Sequence, residues 1–568
     1  MKKLVSLLII FCILFAIISL TTMAQMFPAP DAVVEERGVI VTPPQSWLGC
    51  EGGELSWRLY DDETLVIEGG FIRWWDDWQN PWRSPWHNYR SWITQIVIED
   101  SVEGGVWLNG LFSQLWNVTH FYGIENIHTS ATTNMSWMFY GMRDLITLNL
   151  SSWNVENVTR MDSMFEETRD LQSLNLSGWN VENVRDMQGM FAGTINLTDL
   201  NLSGWNPLNV RSMGSMFWGV SSLTNLDLSS WNVGNVTRMN HMFSGMNSLE
   251  TLNLSGWNTT NVTEMRNMFA NTNNLINLNT SGWNTRNVSD MSNMFRNASS
   301  LETLDLSHFD TRNVSNMSSM FSDMNNLTNL DISGWDTRNV SDMSWMFGNA
   351  SSLENLDLSH FDTRNVSRMN NMFSGANSLT RLDISSFDMR NITDMWNMFS
   401  NTTSLRELVL GDRFNFIFGG GWGVSDLPDP PINMEFSGRW QRADGTFVFT
   451  SQELQANFVG STHAGTWVWQ QAEPVLDVVY FAPFSAWMSI GWINRSETSR
   501  NFMIIASRFE GGRLVENAII GNIPAPNDGV FNSNNNIWIP LEFRNNNTKF
   551  MIWCADTMQP LAPYRFYM

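Results

Sequence analysis

Three cysteines and seven histidines in 568 residues leave this chain few side chains for covalent bracing or for binding soft metals. None of them falls into the paired spacing of a zinc site. Cys12 lies inside an N-terminal apolar run, while Cys50 and Cys554 flank a long repetitive region whose ten steps of roughly 4.8 Å hold them about 48 Å apart, beyond the reach of a disulfide. Basic residues are scarce too. Thirty-three Lys and Arg against 56 Asp and Glu give a formal charge of −23 and a pI near 4.6, which argues against nucleic acid and anionic lipid as direct ligands. There is no Gly-rich phosphate loop, no Gly-x-Ser-x-Gly elbow and no Cys/His pair in a recognisable setting. Pairs of Asp and Glu occur, but each recurs with the repeat, and recurrence marks scaffold. The sequence therefore reads as a non-enzyme, with no catalytic residue and no metal site.

Long apolar runs are also missing after the start of the chain. Lys2 and Lys3 precede an uncharged stretch from Leu4 to Leu20 and the small residues Thr22-Met23-Ala24, the pattern of an export signal cut after Ala24. An uncleaved anchor is the alternative, because the run approaches the ~20 residues needed to span a bilayer. No later segment is apolar enough to cross, and the sequence up to Phe566-Tyr567-Met568 shows no sorting tail. The expectation is a secreted or cell-surface protein, soluble or held non-covalently, with no membrane span once the signal is removed.

What the chain does have is a period. Phe139, Phe165, Phe191, Phe217, Phe243, Phe269, Phe295, Phe321, Phe347, Phe373 and Phe399 stand 26 residues apart through ten steps without an insertion. A period held so strictly predicts a stacked solenoid. Within one unit, Leu171, Leu174 and Leu176 follow the Leu-x-x-Leu-x-Leu spacing of a short strand. Val158, Met161, Met164 and Phe165 fall at steps of three, three and one, which predicts one face of a short helix or 3₁₀ turn. About six large apolar side chains per unit, each worth roughly 1.5–3 kcal/mol when buried, cannot order 26 residues alone, so only the stack is stable and its ends need caps.

The order Met-Ser-x-Met-Phe, Leu-x-x-Leu-x-Leu-Ser-x-Trp, Asn-Val resembles the BspA-like leucine-rich repeat family of bacterial surface proteins, from about Met135 to Phe414. One departure from the general leucine-rich repeat is an aromatic column closing the strand, Trp153 through Trp283, then Phe309, Trp335, Phe361 and Phe387. The missing amide column reappears at Asn157, Asn183, Asn209, Asn235, Asn261, Asn287, Asn313, Asn339, Asn365 and Asn391, placed to satisfy turn backbone groups. Their Asn-Val-Thr and Asn-Val-Ser tripeptides match the glycosylation sequon, but a sugar there would interrupt the ladder. The expected architecture is an α/β leucine-rich repeat solenoid, with short parallel strands and short helical turns, between a small N-terminal β cap and a C-terminal β-sandwich. The expected boundaries are a signal at 1–24, a linker at 25–44, the cap at 45–130, the array at 131–414, a closing module and linker at 415–473, and the sandwich at 474–568.

Candidate binding residues form columns. The central strand column reads Asn149, Asn175, Asn201, Asp227, Asn253, Asn279, Asp305, Asp331, Asp357 and Asp383, facing the concave side of a leucine-rich repeat. Its last four members are acids at strand spacing, so solvent, salt or weakly bound calcium must absorb the repulsion; no other cofactor is expected. A second acidic column, Asp310, Asp336, Asp362 and Asp388, changes together with Arg312, Arg338, Arg364 and Arg390, and reads as a neutralised surface ladder. In the cap segment, Trp74, Trp75 and Trp78 stand among Trp82, Trp86 and Trp92, either as a platform for sugar rings or as core. The resemblance implies adhesion to an extracellular protein or host matrix through the repeat face. The alternative is a carbohydrate-binding envelope protein that holds glycans at the Trp cluster or the terminal sandwich.

Overall fold

The structure is a computed structural model that describes residues 45–49, 53–72, 82–416, 426–433 and 435–472. Beyond these it describes the strands Val479–Phe481, Trp487–Ile490, Trp492–Asn494, Arg500–Glu510, Arg513–Ala525, Gly529–Phe531, Asn536–Trp538, Thr548–Cys554 and Gln559–Pro560. The export signal expected at 1–24 and the linker at 25–44 lie outside the described residues. The chain divides into two compact units, Met1–Gly334 and Trp335–Met568.

In the first unit, Gln45–Gly49, Gly53–Leu59 and Thr64–Ile72 form an antiparallel set, and Gln95–Ile98, Val102–Gly104, His120–Tyr122 and Ile127–His128 join it in parallel. Coils of the repeat follow. Thr147–Asn149, Ser173–Asn175 and Asp199–Asn201 pair in parallel with each Leu opposite its counterpart. Thr251–Asn253 pairs likewise with Asn277–Asn279, and Thr303–Asp305 with Asn329–Asp331. Register is set by burial: Leu148, Leu174, Leu252 and Leu304 point inward, and a slip of one residue would turn them out.

The Met-x-x-Met-Phe segment departs from the helical expectation. No helix occurs within 131–414 among the described residues. Ser163 and Glu167 instead take left-handed conformations, with φ of 55° and 60°, and so do their counterparts in most other coils. Two such residues four apart cannot lie in an α-helix. The result is a ribbon in which alternate amides serve two directions. Met164, Glu166 and Thr168 donate within the coil to the carbonyls of Met161, Ser163 and Phe165, at 3.2–3.3 Å. Met161, Ser163, Phe165 and Glu167 donate to Asp186, Gln188, Met190 and Ala192 of the next coil, at 2.8–3.0 Å. Every amide from 163 to 168 thus has a partner, as buried backbone requires.

This ribbon is the continuous spine of the first unit. The strand ladder lapses at residues 225–227, whereas the inter-coil bonds of the ribbon run from Leu108 to Ser322 without a gap. The coil geometry also begins earlier than the strict period, since Phe112 stacks on Phe139 at 5.7 Å and Trp107 bridges Asn134. From Phe139 to Phe321 the ring centroids are 5.4–5.9 Å apart and tilted by 1–16°, an offset stack at coil spacing. In a typical coil Leu171, Leu174, Leu176, Trp179, Val181, Val184, Met187, Met190 and Phe191 are all buried.

The second unit repeats the same coil, with Phe347, Phe373 and Phe399 stacked at 5.9 Å. Asn355–Asp357, Arg381–Ile384 and Glu407–Leu410 are parallel. The sheet then changes sense, because Gly465–Gln471 lies antiparallel against Glu407–Leu410 and carries Phe436–Arg442 and Val448–Phe449 beyond it. Trp440 and Trp467 are buried there, beside the helix Ser451–Asn457, whose start is held by a reciprocal Thr450–Glu453 capping box. From 479 onward every described pairing is antiparallel; the longest joins Arg500–Glu510 to Arg513–Ala525 and to Thr548–Cys554.

Candidate binding surface

The strand residues on either side of the buried leucine are the groups that each coil offers outward. Asn149, Asp227, Asn253, Asn279, Asp305, Asp331 and Asp357 are exposed, and Asn175, Asn201 and Asp383 are half-buried. Each of the ten is also engaged locally. Its side-chain Oδ1 accepts the backbone N–H of the Ser two residues on, from 2.9 Å at Asp357–Ser359 to 3.3 Å at Asn253–Ser255. The column is thus a run of Asx turns that ends each strand.

Where the residue is Asp, the serine hydroxyl adds a second donor: 2.7 Å at Asp227, Asp305, Asp331 and Asp383. These contacts hold the Asp227, Asp305 and Asp357 carboxyls below the usual carboxylate range, the Ser hydroxyl being the main cause and the Ser amide the next. The charge of each of these three acids is therefore stabilised inside its own coil. Among the described residues no group of three or more His, Cys, Asp or Glu side chains is arranged to hold a metal ion.

The second acidic column pairs as expected, and within each coil. Arg312 meets Asp310 at 2.7 Å, Arg338 meets Asp336 at 2.9 Å, Arg364 meets Asp362 at 2.6 Å and Arg390 meets Asp388 at 2.8 Å. The asparagine ladder also fills its expected role, reaching backward. Asn157, Asn183, Asn209, Asn235, Asn261, Asn287 and Asn313 each donate Nδ2 to a backbone carbonyl of the preceding coil at 2.7–2.9 Å. That nitrogen is the atom a glycan would occupy.

The aromatic column has a partner rule that sequence reading missed. Trp153, Trp179, Trp205, Trp257 and Trp283 donate Nε1 to the carbonyl 29 residues upstream, at 2.8–3.1 Å. Phe309 cannot do this, and the residue before it takes over: His308 Nε2 lies 2.8 Å from the Thr280 carbonyl. A carbonyl accepts only, so Nε2 carries the proton. Before Phe387, Ser386 Oγ donates to the Leu358 carbonyl in the same way at 3.2 Å. The signal was present as His308-Phe309 between coils that read Gly282-Trp283 and Gly334-Trp335, and as Ser386-Phe387.

Trp74, Trp75 and Trp78 lie outside the described residues. Of the tryptophans near them, Trp86 is core, edge-on to Trp57 and stacked on Phe112, while Trp82 and Trp92 are exposed. Sequence reading also passed over exposed side chains on the ribbon face, among them Trp218, Trp345 and Trp396. Each stands in a column otherwise filled mostly by small or polar residues, which was the available cue.

These coils define the class, a parallel β-solenoid of short leucine-rich strands. Within it, the family described as "Mycoplasma protein of unknown function, DUF285" matches residues 107–225, 194–304 and 290–411. Together these matches span more than half of the 568 residues, and the chain belongs to that family. No curated protein matches it. Among solved structures it is similar to a leucine rich cell surface protein from Faecalibacterium prausnitzii A2-165, with a TM-score of 0.31 and 15% identity over 65% of this chain and 95% of that one. It is also similar to the functional domain of InlJ from Listeria monocytogenes, with a TM-score of 0.20 and 11% identity over 72% of this chain and 85% of that one. A third likeness is to TLR13 in its complex with ssRNA13, with a TM-score of 0.15 and 16% identity over 56% and 59%. Among the described residues, no helix is long and apolar enough to cross a membrane.

Proposed function

We propose that this is an exported surface or secreted repeat protein that holds an extracellular protein, such as a host matrix component, against its outward strand columns. The resemblance to BspA-like surface proteins implies this role. The observation that carries it is the column from Asn149 to Asp331: one polar side chain per coil, exposed at Asn149, Asp227, Asn253, Asn279, Asp305 and Asp331 and half-buried at Asn175 and Asn201, each fixed by its own Asx turn. A preorganised array of this kind loses little side-chain entropy on binding. Its acids and the −23 charge fit a partner with a basic face.

The test uses the full chain. Asp227, Asp305 and Asp331 are replaced together by Asn, which keeps the Oδ1 acceptor for the Ser donors and removes only charge. Capture of immobilised collagen, fibronectin and laminin is compared with capture of peptidoglycan. Matrix binding that weakens in the variant supports the reading; equal capture by variant and parent sinks it. The carbohydrate reading, through Trp74, Trp75 and Trp78 or the terminal strands, is supported by the exposure of nearby Trp82 and Trp92, and predominant peptidoglycan capture would favour it. Weak calcium binding along Asp305, Asp331, Asp357 and Asp383 is part of the same proposal, since the serines engage Oδ1 and each carboxylate keeps a second oxygen.

A further inference from the structure

The ribbon face of the second unit carries two exposed indoles and a buried amide that the strand-face reading leaves unused. Trp345 occupies the first left-handed position of its coil, with φ of 59°, where the next two coils have Asn371 and Asn397. A bulky L-residue is disfavoured there, and strain of this sort persists only where the surroundings hold it. The support is bare backbone: a Cβ built on Gly348 would meet Trp345 Cε3 at 2.6 Å and the Asn371 carbonyl oxygen at 3.4 Å. The indole therefore lies against that glycine. Even so it remains 36% exposed, and Trp396 is 43% exposed.

Asn371 lies between the two tryptophans in the stack. The Trp345 amide donates to the Asn370 carbonyl at 2.9 Å, and the Asn371 amide donates to the Trp396 carbonyl at 2.7 Å. Asn371 is 2% exposed, yet its Nδ2 has no hydrogen-bond partner. A buried donor left unbonded is unfavourable, and a ligand oxygen that reached it would remove the penalty. Two coils span on the order of 10 Å at strand spacing, which matches two residues of a β-linked sugar chain. Indole faces stack on the C–H faces of pyranose rings, and an acetamido carbonyl is an acceptor with two lone pairs. The −23 charge disfavours uronate or phosphate polymers.

We propose that Trp345, Asn371 and Trp396 form a subsite for a neutral β-linked N-acetylhexosamine chain, with the indoles against two rings and Asn371 Nδ2 donating to an acetamido oxygen. Asn371 is shut off from solvent in the free protein, so the neighbouring indole shifts as the acetamido group enters. This site does not depend on the strand-face proposal, and either stands without the other.

The test is calorimetric titration of the full chain with the tetramer of N-acetylglucosamine, and with cellotetraose as the matched chain lacking acetamido groups. The variants follow the repeat's own alternatives. Trp345→Asn installs the residue that the next two coils carry, Trp396→Ser the residue at Ser344 and Ser318, and Asn371→Asp keeps left-handed tolerance while removing the donor. Thermal melts establish that each variant folds. The N-acetylglucosamine tetramer is expected to bind more tightly than cellotetraose, each Trp variant to weaken it by about tenfold, and Asn371→Asp to bring the two sugars to similar affinity. No heat at about 5 mM tetramer, binding that survives both Trp variants, or equal affinity of the parent for both sugars overturns the proposal.

Discussion

At Asp305, the carboxylate has its two donors from Ser307 in hand before any partner arrives. Asp305→Ala removes an Asx turn and is expected to destabilise the fold by about 1 kcal/mol, as loss of a capping acceptor does, whereas Asp305→Asn keeps the acceptor and stays close to the parent in urea unfolding. The depressed pKa of Asp305 sets the sign of the pH effect. A carboxyl lower in the folded state contributes stability above its unfolded value near 3.9, and that contribution is lost as pH falls through the folded value. The parent should therefore lose more stability than Asp305→Asn below about pH 4.

His308 supplies a sharper residue-scale prediction. His308→Gly leaves the Thr280 carbonyl without its donor and should lower stability by about 1–3 kcal/mol. The double change of His308→Gly with Phe309→Trp restores the arrangement of the preceding coil and should recover most of the loss; additive destabilisation in urea melts would refute the substitution rule. The outward column was legible in the sequence, because strand alternation put Asn149 and its counterparts outward; its Asx turns were not anticipated. The His308 role was not. It needs a carbonyl 28 residues away, and no local pattern names that atom.

At the scale of the element, the repeat is a strand, an Asx turn and a left-handed ribbon. The strand was readable from Leu-x-x-Leu-x-Leu. The ribbon was not, because steps of three, three and one among Val158, Met161, Met164 and Phe165 are also those of a helix face. The deciding signal lay between them, in the columns Ser163, Gly189, Ser215 and Glu167, Gly193, Gly219, which are rich in the residues that tolerate positive φ. Glu167 is the least suited occupant of its column. Replacing it by Asn, as at Asn271 and Asn297, should stabilise by about 1 kcal/mol despite the loss of its exposed contact with Arg169, and a raised urea midpoint is the readout. Gly375→Ala should do the reverse, since its φ of 75° suits glycine and the added methyl would strike the Asn349 side chain.

For the whole molecule, the strict period predicts that coils are interchangeable within the first unit. Deleting residues 251–276 joins positions of equal role, and the shortened chain should still melt in one cooperative transition. Deleting 251–275 leaves one coil of 27 residues at the junction, which must bulge, and should lower the melting temperature relative to the 26-residue deletion, as circular dichroism would show. The stack itself was evident from eleven phenylalanines at one interval, because no other architecture holds 26 residues constant through ten steps. Its dependence on the ribbon more than on the strands was not, since that rests on where alternate amides point.

Those amides give the stack a direction. Phe165 sends its N–H to Met190, and every inter-coil bond from Met161 to Glu167 runs the same way, so the ribbon presents hydrogen to its successor and oxygen to its predecessor, while flanking amides such as Thr159, which donates to the Thr133 carbonyl, run back. A chain that gains or loses whole 26-residue blocks preserves this polarity automatically. Length can therefore drift between lineages while the joint between any two neighbours stays chemically the same.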